Sequence, residues 1–161
     1  MEMIRNSAKA LLLSTDGRVL LNRCVTSSGE EYFDLPGGGQ HVYETMEEAV
    51  VREVLEETGL AVEPVRFAAL CEEIFTDPDM RRRYPEYCHR TLHIFLVRAV
   101  SDRVREKTET DFQQTGSVWS TPEEAETLPL VPLQLRGRVR EVLNSAGPVY
   151  LGSVRRDEVC M

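Results

Sequence analysis

Apolar and polar positions in the first part of the chain alternate in short blocks that predict strands. Residues 7–14 contain an apolar run that suits a buried strand. Asp16 and Gly17 give a turn signal, and residues 18–23 return the chain, so these segments predict a β-hairpin. Residues 32–35 predict a short strand that stops before Pro36, because proline cannot donate to a strand ladder.

The next block changes to a helical period. Residues 46–58 predict an α-helix, and Thr45 and Glu48 have the spacing of a capping box. Gly59 stands where a left-handed stop is expected. Residues 37–39 are all glycine and predict an irregular, exposed backbone segment before the helix.

The rest of the chain predicts a mixture of strands and short helices. Trp119 is expected in the core, because large aromatic side chains dominate core packing. Residues 76–89 predict a polar loop, and residues 101–114 predict an exposed charged segment. Strands are expected at residues 62–75, 90–100, 117–120 and 149–151, with a short helix from Thr121 and an amphipathic helix over residues 133–144. This order predicts one α+β or α/β sandwich, without the regular βαβ alternation of a Rossmann fold.

Composition narrows the function classes. The 161 residues are 42% apolar and 29% charged, which is typical of one globular domain spanning residues 1–161. A net charge of −8 disfavours a nucleic-acid partner. No apolar run is long enough to cross a membrane, and the run after Lys9 is too short for a signal peptide. Four cysteines without CxxC spacing predict plain thiols and a cytoplasmic location.

Three carboxylates follow the apolar stripe of the predicted helix. The stripe that begins at Met46 continues into Glu53 and Glu57, with Glu56 on its flank. Their spacing places like charges together, in the helix half where the macrodipole disfavours negative charge. Bound Mg²⁺, or Mn²⁺ in its place, would offset these unfavourable terms. From the residues alone, a solvated acidic face is an equally good interpretation.

The spacing of the whole segment resembles a known motif. Gly38 is followed after five residues by Glu44, and after seven more by Arg-Glu-Val-Leu-Glu-Glu-Thr-Gly-Leu at residues 52–60. This resembles the Nudix box at every defined position. The lead-in Phe-Asp-Leu-Pro-Gly-Gly at residues 33–38 and the strand Val-Leu-Leu-Asn-Arg at residues 19–23 are also similar to the family's. The clear match covers roughly residues 7–60.

The resemblance implies a Nudix fold, which is an α+β fold built as an α/β/α sandwich with a mixed central β-sheet flanked by helices. It also implies hydrolysis of a diphosphate linkage. The implied substrate is a nucleoside diphosphate linked to a group X, such as a nucleoside triphosphate or a nucleotide sugar. Glu53, Glu56, Glu57 and the carbonyl of Gly38 are implied as Mg²⁺ ligands, and Arg52 is implied to orient the carboxylates. One glutamate, Glu56 or Glu57, would take the proton of the attacking water. The alternative is a catalytically weak Nudix-fold protein that binds or senses a nucleotide.

The chain departs from the family at the acid that many members place near the late strand with Trp119. That stretch is neutral here, which leaves Glu109, Asp111 and the strand pair Glu72 and Glu73 as alternatives.

Substrate markers are scarce. Phe75 occupies the position of the proline that marks the ADP-ribose subgroup, and the SQPWPFPxS signature of the NADH subgroup is absent. The chain is expected to act as a monomer or homodimer on a small nucleoside diphosphate derivative. The candidate substrate contacts are the basic cluster of the 76–89 loop, one box-loop histidine and two residues of the family-like strands: Arg81, Arg82, Arg83, His41, Arg23 and Phe33. For the basic cluster, a solvated loop is the competing interpretation.

Overall fold

A mixed β-sheet forms the centre of the computed structural model, which describes residues 3–110 and 113–157. Within these residues the strands are β1 (Arg5–Leu13), β2 (Val19–Val25), β3 (Glu31–Asp34), β4 (Gly37–Gly39), β5 (Leu60–Phe75), β6 (His89–Val104), β7 (Gln114–Ser120), β8 (Leu130–Val131) and β9 (Val149–Arg156). The helices are α1 (Met46–Thr58), α2 (Pro78–Arg83), α3 (Pro122–Thr127) and α4 (Val139–Asn144), with 3₁₀ turns at Pro85–Tyr87 and Leu133–Leu135.

The order of strands places β1 at the middle of the sheet. The sheet runs β8-β3-β2-β1-β6-β5-β9, with β4 added to β1 and β7 added to β2. Strands β1 and β6 are parallel, so Arg5 lies beside Arg90 although the two residues are far apart in the chain. Strands β5 and β9 are also parallel, whereas β5 and β6 are antiparallel.

Alternate residues of β1 pack on opposite sides of the sheet, because successive strand side chains point to opposite faces. One face packs on α1 through Ala8, Ala10, Leu12, Leu20, Ala49, Val50, Val54, Phe95 and Val97. The other packs on α3, α4 and the second 3₁₀ turn through Leu11, Leu21, Leu35, Ile94, Ala125, Leu135, Val139 and Val142. Full burial of one such aliphatic side chain contributes about 1.5–3 kcal/mol. The predicted α/β/α sandwich is confirmed.

Helix α1 has the bounds that the sequence predicts. The Thr45 side chain accepts from the Glu48 backbone N–H at 3.1 Å, and the Glu48 carboxylate accepts from the Thr45 N–H at 2.8 Å. At the other end Gly59 adopts a left-handed φ of 75°, and its N–H donates to the Leu55 carbonyl. Both ends are fixed by local hydrogen bonds, which explains why a sequence pattern was sufficient to place them.

The glycine segment is more regular than predicted. Gly37–Gly39 forms strand β4, which pairs antiparallel with β1. At Gly37 φ is 133°, and an added Cβ would overlap the Ala8 carbonyl and lie 2.8 Å from the Lys9 Cα. Glycine is therefore required for β4 to approach the centre of β1.

Several other boundaries differ from the prediction. The expected loop over residues 76–89 contains α2, which Asp77 caps by accepting from the Met80 N–H at 2.7 Å. The helix expected over residues 133–144 is interrupted where Gly137 adopts a left-handed φ of 69°, so only Val139–Asn144 is α-helical. Strand β9 extends to Arg156 because it pairs in parallel with β5 over this whole length.

The core position expected for Trp119 is wrong. Its side chain is 36% exposed, and it belongs to none of the buried clusters of the described residues. Strand β7 pairs with β2 beside the main strand order. A strand in that place has little structure packed over it, so its aromatic residue keeps contact with solvent.

Three cysteines are buried free thiols: Cys24, Cys71 and Cys88. Cys160 lies outside the described residues. In the described ranges, no helix combines the length and the apolar character that a membrane crossing requires.

Candidate active site

A pocket of about 420 Å³ lies between α1, the glycine strand β4 and the first half of β1. This volume is within the range of small-molecule sites. Its acidic wall comes from the second half of α1, and its other walls come from the strands. Its lining residues include Arg5, Lys9, Asp34, Gly37, Gly38, Gly39, His41, Arg52, Glu53, Glu56, Glu57, Tyr87, Arg90 and Glu109.

Glu57 is held in place by two donors. Its side chain is 4% exposed, and its Oε2 accepts from Asn22 Nδ2 at 2.8 Å and from the Gly37 N–H at 3.0 Å. Such bonds to a charged acceptor are stronger than neutral ones, and they offset the cost of burying a carboxylate. The carboxylate therefore links α1 to β2 and to the start of β4.

Arg52 connects the acidic residues of the box. Its Nε and Nη2 donate to the two oxygens of Glu44 at 2.7 and 2.9 Å, and Nη1 donates to Glu53 at 2.7 Å and Glu56 at 3.2 Å. Nη2 also donates to the Gly39 carbonyl at 2.9 Å. The hydrogen bonds from Arg52 lower the pKa of Glu44 to about 2, and the bonds to Glu44 raise the pKa of Arg52. The arginine thus brings Glu44, Glu53 and Glu56 to one point.

Gly38 allows the carboxylate of Glu53 to lie directly against the backbone. An added Cβ at Gly38 would be 2.5 Å from Oε2 and 2.6 Å from Cδ of Glu53. The space that a side chain would fill is therefore occupied by an acidic group. A hard-oxygen donor set of carboxylates and a backbone carbonyl suits Mg²⁺, which makes the residues chemically compatible with that ion.

The carboxylates do not yet form a coordination shell in the described ranges, where no three Asp, Glu, His or Cys side chains converge enough to hold an ion. Glu53 and Glu56 turn towards Arg52, while Glu57 turns towards Asn22 and Gly37. An ion at this site would compete with Arg52 for two of the three carboxylates.

Lys9 is a buried site residue that sequence reasoning did not select. Its ammonium donates to Asp34 at 2.8 Å, to the Leu35 carbonyl at 3.1 Å and to the Gly37 carbonyl at 2.9 Å. A charged residue within the apolar stretch of β1 was the available signal, because lysine is rarely buried without partners. These bonds fix the segment that leads into β4.

The four acidic residues considered as substitutes for the missing acid near Trp119 differ in their location. Glu109 lines the pocket, and its backbone N–H donates to the Glu56 carbonyl at 3.2 Å. Glu73 is fully buried and accepts from Arg90 and from Arg156. Glu72 contacts His89 at 2.8 Å, and this bond lowers the pKa of Glu72. Asp111 lies outside the described residues.

The proposed substrate contacts are only partly brought together. His41 lines the pocket. Phe33 is buried in the core, and Arg23 pairs with Glu31 at the surface.

The basic cluster lies on α2, and none of its three arginines lines this pocket. Arg81 donates to the Phe75 carbonyl at 2.8 Å, and Arg82 pairs with Asp79 at 2.8 Å. Arg83 is exposed at the end of the same helix.

Comparisons with known proteins agree with this geometry. A family model described as NUDIX domain matches residues 3–143. Among solved structures, the chain is similar to a MutT NUDIX hydrolase from Burkholderia pseudomallei, with 26% identity, coverage of 90% of this chain and 99% of that chain, and a TM-score of 0.59. It is also similar to a mutator MutT protein from Bacillus halodurans, with 20% identity, coverage of 94% and 89%, and a TM-score of 0.67. A third is an ADP-ribose pyrophosphatase from Streptococcus suis, with 22% identity, coverage of 91% and 98%, and a TM-score of 0.59.

The family match covers most of the chain, including all of α1 and the strands that line the pocket. The chain therefore belongs to the Nudix family and is a hydrolase of the class that acts on diphosphate bonds.

Proposed function

We propose that this chain, as one domain over residues 1–161, hydrolyses the diphosphate linkage of a nucleoside diphosphate joined to a group X, with Mg²⁺ as cofactor. Mn²⁺ is expected to substitute, because it accepts the same oxygen ligands. The observation that carries the proposal is that Gly38, Arg52, Glu53, Glu56 and Glu57 all line one pocket. The cysteines lack disulfide or zinc-site spacing, which supports a cytoplasmic location.

The acidic wall would hold the cation through Glu53, Glu56, Glu57 and the Gly38 carbonyl. When bound, a divalent cation neutralises the diphosphate and lowers the pKa of water. Arg52 acts as a positioning residue, since it can release Glu53 and Glu56 to the ion and remain bound to Glu44.

Glu56 is the better candidate for the base. In the described part of the chain, the only hydrogen bond to its carboxylate is the 3.2 Å contact from Arg52. Glu57 accepts two bonds that favour its charged form and weaken it as a proton acceptor. We therefore assign to Glu56 the proton of the attacking water.

The group X belongs to the class of groups that are joined to a nucleoside diphosphate. Similar structures include an ADP-ribose pyrophosphatase, which supports nucleotide sugars, beside nucleoside triphosphates, as the compounds to test first. Phe75 in place of the subgroup proline argues against ADP-ribose as the preferred substrate.

The test is a hydrolysis panel with Mg²⁺, coupled to a phosphatase for detection of released phosphate. Glu56→Gln should lower kcat at least about 10²-fold, the size expected when a general base is lost. Glu57→Gln should also lower kcat, because it weakens a proposed ligand of the cation. Glu47→Gln is the matched control, because Glu47 is an exposed carboxylate in the first turn of the same helix. Chelation of the metal should abolish turnover.

One result of the same panel would contradict the proposal. Tight nucleotide binding without turnover across the panel would support the alternative, a Nudix-fold binding or sensor protein. The contacts of Arg52 to Glu53 and Glu56 are the observation that keeps this alternative in view, since an arginine that did not release them would block the ion.

A further inference from the structure

A basic wall lies in the same pocket as the acidic helix, and it is formed by Arg5 of β1 and Arg90 of β6. These two residues are register partners in the parallel pair β1–β6. Register partners on adjacent strands project from the same face of the sheet. The strand pairing therefore places two guanidinium groups side by side, and no local sequence pattern predicts this.

Each guanidinium rests on an aromatic ring. The Cζ of Arg5 lies 4.7 Å from the centre of the Tyr87 ring, and the Cζ of Arg90 lies 5.2 Å from the centre of the Phe75 ring. Stacking uses the face of a guanidinium and leaves its N–H donors in the plane of the group. The two arginines are thus held in orientation while donors remain for a ligand.

The charge of this basic wall is only partly offset by ion pairs. Glu73 is fully buried and accepts from Arg90 and, at 3.4 Å, from Arg156. Arg5 has no ion pair within residues 3–110 and 113–157. The other pocket cations differ, because Lys9 is paired with Asp34 and Arg52 with Glu44.

We propose that the Arg5–Arg90 pair binds a phosphate monoester group that the substrate carries in addition to the scissile diphosphate. The inference rests on the proposed function, in which the diphosphate lies at the acidic wall. A phosphate offers several acceptor oxygens to paired guanidiniums, whereas a neutral sugar would leave the charge of Arg5 uncompensated. The preferred group X, or the nucleoside itself, therefore bears a further phosphate.

The experiment uses pairs of compounds that differ by one phosphate. They are coenzyme A with 3′-dephospho-coenzyme A, NADPH with NADH, and ADP-ribose 2′-phosphate with ADP-ribose. At least one phosphorylated member should have a kcat/KM about tenfold or more above its twin, the size expected for charge-assisted contacts. Calorimetry without metal should show the same preference in Kd.

Variants identify the residues responsible. Arg5→Gln should bring the ratio of kcat/KM between the two members of the preferred pair close to one. Arg90→Lys keeps a charge beside Glu73 but loses the planar fork, so it should lower the ratio in part. Arg98→Gln is the matched control, because Arg98 is an exposed arginine of the same strand whose partner is Glu63. It should leave the ratio unchanged.

The outcomes separate the two proposals. In one outcome, the protein binds the phosphorylated member of a pair more tightly without metal, this preference depends on Arg5, and no compound is hydrolysed. That result supports phosphate binding by the basic wall and contradicts the proposed hydrolase function. In another outcome, the compounds are hydrolysed but kcat/KM differs by no more than about twofold within every pair. That result, or a preference that is retained in both Arg5→Gln and Arg90→Lys, contradicts phosphate binding by the basic wall. If Arg5→Gln does not fold, as judged by circular dichroism, Arg90→Lys decides.

Discussion

Replacing Gly38 with alanine should move a single carboxylate and leave the strand around it intact. The new Cβ would be 2.5 Å from Oε2 of Glu53, whereas atoms in ordinary contact are about 1 Å farther apart. The obstructing atoms belong to the end of a flexible side chain, so Glu53 can swing away. Gly38 does not have a left-handed φ, and alanine is therefore tolerated by the backbone.

The displacement of the Glu53 carboxylate determines how far the activity should fall. A misplacement of about 1 Å in a catalytic arrangement can lower the rate about 10²-fold, which corresponds to roughly 2.7 kcal/mol in the barrier. The free energy of unfolding should change by less than about 1 kcal/mol, as is usual for substitutions that neither create a cavity nor strain the backbone. We therefore expect kcat/KM to fall while stability is retained.

Two further glycine substitutions serve as controls. Gly147→Ala meets no atom within 4 Å and should leave both activity and stability unchanged. Gly37→Ala would clash with the backbone of Ala8 and Lys9, so it should lower the melting temperature as well as the activity. The assay is Mg²⁺-dependent hydrolysis of the best panel compound, with a metal titration and thermal unfolding of each variant. A Gly38→Ala protein with the kcat/KM and metal affinity of the parent chain would refute the role given to Glu53.

Three other predictions concern stability. Asn22→Leu should cost about 1–3 kcal/mol in urea unfolding, because it removes a donor from the buried carboxylate of Glu57, and an unchanged midpoint would count against that contact. The hydrogen bonds from Arg140 lower the folded-state pKa of Glu126 below 4.5, so this pair stabilises the fold above about pH 4.5 and the gain is lost as the pH falls through the folded-state pKa. The melting temperatures of the parent chain and Glu126→Gln should therefore converge in acid, and a constant gap would contradict the assignment. Gly137→Ala should lower the free energy of unfolding by about 1 kcal/mol in urea titrations, since φ there is 69° and nothing else is near, and equal stability would contradict this account.

Local signals were sufficient for the part of the molecule that identifies the family. The capping box at Thr45, the stop at Gly59 and the Nudix spacing all lie within one short segment, and the structure retains each of them. The expectation that Arg52 contacts the box carboxylates also needs only α1 and its preceding loop. Interactions between residues close in sequence can be predicted because few alternative folds change them.

Positions that depend on neighbours in space were predicted less well. Trp119 was expected in the core because of its size, yet the place of β7 beside the main strand order leaves it partly exposed. The helix expected over residues 133–144 had a suitable apolar period, but the chain turns at Gly137 so that the two pieces can pack on the sheet.

The amino-acid sequence by itself determined the acidic wall of the pocket, since Glu53, Glu56 and Glu57 lie on one helix whose ends are encoded locally. Only the tertiary structure decided the basic wall, because Arg5 and Arg90 meet through the parallel pairing of β1 with β6. A helix fixes the spacing of its side chains through its own geometry. A parallel strand pair instead depends on which distant segments come together, and burial of the whole sheet determines that choice.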